Sequence, residues 1–199
     1  MVTKEVVLKW IGEIDELLSY AYDAYQKLEV INNRYGLNNL SKIIDIKDSD
    51  FQFFDNLQYL YFTSINNLVF GICNVYDTDS KATSFKSVLN AMLYDLKMKG
   101  HTKIDIDEEL EGIRILTDKD TMHPIYNQLR TLRDKSIAHS DKTYSGQTIN
   151  LSEVKKFLDE TNSRANRIFH EFGEHVALFD FKYQCVKNPI DDFFDKYNK

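Results

Sequence analysis

Apolar residues recur three and four positions apart along almost the whole chain, and no segment alternates apolar with polar residues over six or more positions. The first pattern belongs to helices that bury one face, the second to half-buried strands. A chain patterned this way is held to an all-α architecture. The punctuation agrees: 199 residues hold only 7 glycines and 2 prolines, too few for the tight turns of a sheet-rich fold. Hydrophobic residues make up 43% and aromatics 13%, enough to fill a core and too much for a disordered chain. The length suits one domain, large enough to stand without a metal or disulfide staple.

The stripes mark out the helices. Val7, Trp10, Ile14, Leu17, Ala21, Tyr25 and Leu28 form the first, with Thr3 as N-cap and Glu5 in the first turn. Asn32-Asn33-Arg34-Tyr35-Gly36 ends it. Residues 37–50 read as a connection with one helical turn around Ile43. The second stripe is Phe54, Leu57, Tyr61, Ile65, Leu68 and Ile72. Phe51, Leu60, Val69 and Phe70 lie off it, which predicts a central helix buried on several sides. This helix stops at Asp77-Thr78-Asp79-Ser80. Thr83 or Ser84 then caps a helix of Phe85, Val88, Leu89, Met92, Leu93 and Leu96 that Gly100 ends.

Residues 105–120 hold seven acids and read as a solvated helix plus loop. A helix from 121 to 138 carries Ile125, Leu129, Leu132 and Ser136, with Pro124 in its first turn. Residues 140–149 are a polar loop. Asn150 and Glu153 form a capping box for a last long helix of Leu151, Val154, Leu158, Ala165, Ile168 and Phe172. Asn188-Pro189 opens a short turn with Phe193 and Phe194. The expected fold is an all-α, single-domain, up-and-down bundle of five or six helices over 1–199, with a short C-terminal extension at 177–199.

The net charge of −6 excludes a uniformly basic nucleic-acid coat but leaves room for a local patch. Cys73 and Cys185 stand apart, in no C-x-x-C pair, so they read as buried or free thiols of a reducing compartment. The chain starts without an apolar signal core. Its longest apolar run, Leu68 to Cys73, falls far short of the roughly 18 residues that cross a bilayer. These features place the protein in the cytoplasm, with no membrane partner. His170-Glu171-Phe172-Gly173-Glu174-His175 imitates a zinc motif with one residue too many. Five steps of about 100° set the histidines roughly 140° apart on a helix, out of reach of one metal. Asp77-Thr78-Asp79 and Asp105-Ile106-Asp107 lack the glycine and glutamate of a calcium loop. Neither a metal nor another cofactor is expected.

One stretch stands out: Leu132-Arg133-Asp134-Lys135-Ser136-Ile137-Ala138-His139-Ser140-Asp141-Lys142. Arg133, Lys135 and Lys142, with Arg130 one turn earlier, gather positive charge on an acidic protein. On a straight helix Arg133 and His139 are about 240° and about 9 Å apart. Yet Arg133, Ser136 and His139 lie along one i+3 ridge, where small Ser136 leaves a notch for a phosphodiester. The arginine holds two phosphate oxygens, and the histidine moves a proton. A plainer reading fits the same residues. His139 continues the stripe of Leu129, Leu132 and Ser136 as a half-buried histidine at a helix C-terminus. Arg130 and Asp134 then make an i,i+4 ion pair on a solvated face.

The string Leu132-Arg133-Asp134-Lys135 … Ala138-His139-Ser140-Asp141 resembles the signature of the HEPN superfamily. There an arginine, usually followed by a polar residue, precedes a histidine by four to six residues on a helix. More narrowly the chain is similar to the abortive-infection type U branch. That branch has a long apolar helix, an Asp-x-Asp-like break and a Ser-rich start to the next helix, here Val75-Tyr76-Asp77-Thr78-Asp79-Ser80 … Thr83-Ser84-Phe85. The resemblance covers about residues 5–175. It implies a metal-independent endoribonuclease that acts as a homodimer, its two motifs facing each other across a shared cleft. It also implies a toxin–antitoxin or abortive-infection (anti-phage) setting, with an antitoxin protein as partner. By resemblance Arg133 binds the scissile phosphate, His139 is base or acid at the 2′-hydroxyl, and Asp134 orients the pair. The patch of Arg130, Lys135, Ser136 and Lys142 then contacts RNA. The acidic remainder favours a defined substrate such as a tRNA over bulk RNA. Some relatives carry a tyrosine two residues after the histidine, modified by a partner enzyme; here that position is Asp141 and the nearest tyrosine is Tyr144. Other relatives are inactive, so the alternative is a non-catalytic helical dimerisation module that binds RNA or protein.

Overall fold

The computed structural model describes residues 1–35, 51–79, 81–134 and 150–174, and these hold six α-helices and no strand. The turn around Ile43, the loop at 140–149 and the extension at 177–199 with Phe193 and Phe194 lie outside the described residues.

Helix α1 (Lys4–Tyr35) begins where its cap predicts. The Thr3 hydroxyl accepts from the Val6 amide at 3.4 Å and its carbonyl from Val7 at 3.2 Å. The same hydroxyl, bonded to Glu5, holds that carboxyl below its ordinary range. The buried face runs Val7, Ile11, Ile14, Leu18, Ala21, Tyr25 and Leu28, while Trp10 and Leu17 pack along its margin.

Helix α2 (Phe51–Val75) makes the most extensive contact with α1. It returns antiparallel: Gly71 meets Leu17 and Ala21, and Thr83, beyond its end, donates to Glu13 at 2.7 Å. A Cβ on Gly71 would stand 2.5 Å from the Leu17 carbonyl oxygen and 2.8 Å from the Ala21 Cβ. Only a hydrogen fits there, so the backbones approach closely. Leu57, Leu68, Val69, Ile72 and Cys73 are buried. The expectation that Phe70 joins them is corrected. Phe70 is exposed, as are Tyr59 and Phe62, because α1 covers one side of α2 and α5 with the core covers another, leaving a third side open.

The break after α2 is built by aspartates. Asp77 Oδ1 accepts from the Asp79 amide at 2.8 Å, and Asp79 Oδ1 from Lys81 at 2.9 Å, two successive Asx turns. Of the two candidate caps, Ser84 is the N-cap of α3 (Phe85–Asn90), accepting from the Ser87 amide at 3.4 Å. The helix does not run on to Gly100. It passes into a π-helical turn at Ala91–Asp95 and closes with the Met98 amide on the Met92 carbonyl at 2.8 Å. Lys97, with φ 53°, takes the left-handed position expected of the glycine.

Helix α4 (Ile106–Thr117) is capped by Asp105, whose Oδ1 accepts from Asp107 and Glu108 at 3.0 and 3.2 Å. It is not simply a solvated helix, since Ile106 and Ile113 are buried. Helix α5 (Pro124–Leu132) starts at the proline rather than at 121, because a proline disfavours helical backbone in the residue before it. Asn150 caps α6 (Leu151–His170) through Ser152, accepting from its amide at 3.1 Å and its hydroxyl at 2.8 Å. The Asn150 side chain accepts from Ser152 rather than from Glu153, and the described hydrogen bonds include no return bond from Glu153, so a plain N-cap stands where the capping box was expected.

The helices meet on Tyr76, which follows α2 and is fully buried. Its ring centroid lies 5.4 Å from Phe85 on α3, 5.8 Å from Tyr126 on α5 and 5.8 Å from Phe157 on α6. Its hydroxyl donates to Thr161 at 3.1 Å and accepts from Arg164 Nη1 at 3.2 Å. Arg164 and Arg167 donate in turn to Glu109 on α4 at 3.0 and 2.8 Å. Gly112 makes room, since a Cβ there would meet the Arg164 guanidinium at 3.1 Å. Glu109 keeps only 11% of its side chain exposed, so removing it strands a guanidinium that is 17% exposed. Glu109→Ala should cost about 2–3 kcal/mol, seen as a lower urea midpoint. Glu111→Ala, which breaks the exposed pair with Arg114, should leave the midpoint in place.

Candidate functional site

Tyr126, Arg130 and Arg133 occupy positions i, i+4 and i+7, so they share one side of α5 and its continuation. That side meets the last turns of α2, where the charges of Arg133 and Arg130 act on the Cys73 thiol and the Tyr126 hydroxyl. Leu132 is the last α-helical residue of α5, and Arg133 and Asp134 follow with π-type backbone. Of the helix expected from 121 to 138, α-helical spacing is therefore seen over Pro124–Leu132 and gives way at Arg133 and Asp134, since an i→i+5 turn rotates less per residue; 135–138 lie outside the described residues.

Arg133 is the better-held cation. Its side chain is 28% exposed, against 44% for Arg130. Arg133 Nε donates to Asp134 Oδ1 at 3.0 Å, while Asp134 Oδ2 lies 3.8 Å from Arg130 Nε. One carboxylate thus stands between two guanidinia, and the i,i+4 pair expected on a solvated face is present. Burial disfavours the charge of Arg133, yet the bond to Asp134 and the nearby Cys73 and Tyr126 outweigh it, so its pKa ends above the ordinary arginine value. The bond to Asp134 uses the Nε position. The terminal nitrogens form the fork that grips two phosphate oxygens.

Burial pushes the Cys73 thiol up to about 12, against the pull of Arg133. Burial, with Cys73 beside it, likewise pushes the Tyr126 hydroxyl up to about 12. Both stay protonated near neutral pH, so Cys73 offers no thiolate nucleophile and Tyr126 no phenolate base. Sequence reasoning missed this pair as neighbours of Arg133. The spacing of Tyr126 before Arg130 and Arg133 was the available signal.

The structure brings together Arg130, Arg133 and Asp134. Lys135, Ser136, His139 and Lys142 lie outside the described residues, as does His175 of the zinc-like string. Among the described residues no group of three His, Cys, Asp or Glu side chains is placed to hold a metal ion. None of the described helices is long and apolar enough to cross a membrane. A groove of about 400 Å3 lies elsewhere, lined by Tyr76, Leu116, Phe157, Glu160, Arg164 and Arg167 among others. Its two arginines are committed to Glu109, which accounts for them as a brace between α4 and α6.

A helical bundle that presents an arginine followed by a carboxylate at the end of its fifth helix is consistent with the HEPN class. The chain matches the AbiU2 family over residues 10–192 and belongs to it, the AbiU2 branch of the HEPN superfamily. No curated protein and no solved structure matches the chain.

Proposed function

We propose that the protein is a metal-independent endoribonuclease that works as a homodimer in an abortive-infection or toxin–antitoxin system. The observation that carries this reading is Arg133, a half-buried guanidinium held by Asp134 at the motif position of a chain that belongs to the AbiU2 family. Arg133 binds the scissile phosphodiester, and Arg130, Lys135, Ser136 and Lys142 contact the flanking RNA. His139 takes the proton of the 2′-hydroxyl. The 2′-oxygen then bonds to phosphorus, the bond to the 5′-oxygen breaks, and that oxygen leaves with a proton. The products are a 2′,3′-cyclic phosphate and a 5′-hydroxyl. The substrate is a defined RNA such as a tRNA, because the net charge of −6 repels RNA away from the patch.

The test is incubation of the purified protein with a mixed RNA pool, with and without excess EDTA. Cleavage should persist in EDTA and leave cyclic phosphate ends. Loss of cleavage on chelation, restored by magnesium, overturns the mechanism. An intact pool under all conditions favours a binding module.

A further inference from the structure

From Asn56 to Tyr76 the chain has no Asp, Glu, Lys or Arg. Nearly all of that stretch is α2, whose open side carries Tyr59, Phe62 and Phe70, 73%, 52% and 51% exposed. Phe62, exposed Asn66 and Phe70 follow one another at four-residue steps, an i+4 ridge about 12 Å long. The three aromatics present about 350 Å2 of surface, within the range of the largest apolar patch on an ordinary monomer, which is often functional.

The same chain holds a stripe of matching length and character. Ile190, Phe193, Phe194 and Tyr197 stand at positions i, i+3, i+4 and i+7, the spacing of one helix face about 11 Å from end to end. Asn188 and Pro189 supply a cap and a first position ahead of them, with Asp191 and Asp192 next. On such a helix Asp191, Asp192, Asp195 and Lys196 fall on the opposite face.

We propose that residues 189–197 dock as a helix on the α2 ridge of their own chain. The apolar stripe meets a surface without charge, so no ion is buried unpaired, and the acids keep to water. Reach selects this occupant. Glu174, the last described residue, lies within about 20 Å of Thr161 at helical rise, and Thr161 accepts from Tyr76 at 3.1 Å. Phe70 is a further 9 Å or about that back along α2. With about 10 Å for the width of a helix, the path from Glu174 to the ridge is about 40 Å, and residues 175–188 reach about 46 Å. The connection 36–50 fails the same test. It is tied to Tyr35 and Phe51, about 21–27 Å and about 29 Å from the Gly71 end of the ridge. Its reach is about 53 Å, so covering Phe70 would stretch it fully and leave nothing to pack.

Hydrogen exchange of the full-length protein, read by mass spectrometry, tests the docking. A helix this short is marginal in water by itself, so protection over 193–197 needs a surface to rest on. The wild type should exchange there at least about 10-fold more slowly than a free peptide of the same sequence. A chain with Phe62→Glu and Phe70→Glu should exchange there at the free-peptide rate, while the amides of α2 exchange as before. So should a chain with Phe62→Gln and Phe70→Gln, which adds no charge to α2. Tyr94→Glu, a control at an exposed aromatic of the π-helical turn, should leave the protection in place. A wild type without protection over 193–197 overturns the proposal and leaves the ridge to another protein. Protection that survives both ridge variants overturns it too. Protection that fades on 100-fold dilution, in the manner of about 100-fold mass action, gives the ridge to a second copy. Exchange that quickens over 36–50 instead gives it to the connection. Either result overturns the proposal.

Discussion

Arg133→Ala should lower RNA cleavage by roughly 10²–10⁴-fold, because it removes a charged, two-pronged phosphate contact. His139→Ala should lower it by a similar factor through loss of proton transfer. Neither change should cost more than about 1 kcal/mol of stability. For Arg133 the reason is structural. Its hydrogen-bond partner among the described residues is Asp134, itself 52% exposed, and a pair of that kind contributes about 0–1 kcal/mol. Activity and urea midpoint measured on the same two variants decide the matter. Full cleavage by both removes the site. A large midpoint shift in His139→Ala with unchanged cleavage makes that histidine a packing residue.

A stability effect as large as that of Glu109→Ala should come from a position with no side chain. Gly71→Ala places a methyl 2.5 Å from the Leu17 carbonyl oxygen, against backbone that cannot swing aside. Alanine gains about 1 kcal/mol in helix propensity over glycine, but the overpacking outweighs it. The expected net cost is about 2–3 kcal/mol, or roughly 5–10 °C in Tm for a chain of this size. Gly12→Ala in α1 is the matched comparison. A Cβ there meets nothing within 4 Å, so only the propensity gain acts, and stability should rise by about 0.5–1 kcal/mol. Two Gly→Ala changes in packed helices should thus have opposite signs. Equal effects in thermal melts would contradict the close approach of α1 and α2.

The all-α class and the helix starts could be read from the sequence because both rest on local chemistry. Thr3, Ser84 and Asn150 cap where their hydroxyl or amide oxygens predict. Helix ends were harder. Gly100 does take positive φ, at 79°, yet Lys97 turns the chain first, at φ 53°. The open face of α2 was hidden because Phe70 reads as core by composition, and only the placement of α1 and α5 leaves it outside. Glu109 was hidden for the converse reason. An acid among seven in one segment reads as solvated until two arginines from α6, more than fifty residues away, close over it. Of the candidate site, which holds Arg130 and Arg133, only the pairing of Arg130 with Asp134 followed from spacing. The approach of Cys73 to these arginines did not, since it joins residues far apart in the chain.

Tyr76 touches α3, α5 and α6 directly, adjoins the end of α2, and reaches α4 through Arg164 and Glu109. A helix that peels away from this point exposes part of a buried ring and leaves a hydrogen bond or ring contact unmade. Opening of α3, α5 or α6 should therefore cost a large share of the global unfolding free energy, which slow hydrogen exchange of the amides around Tyr76 would show. The arginine–aspartate pair at the end of α5 is anchored one layer above that hub, through Tyr126. The helix that carries Arg133 is thus tied to the hub at Tyr126.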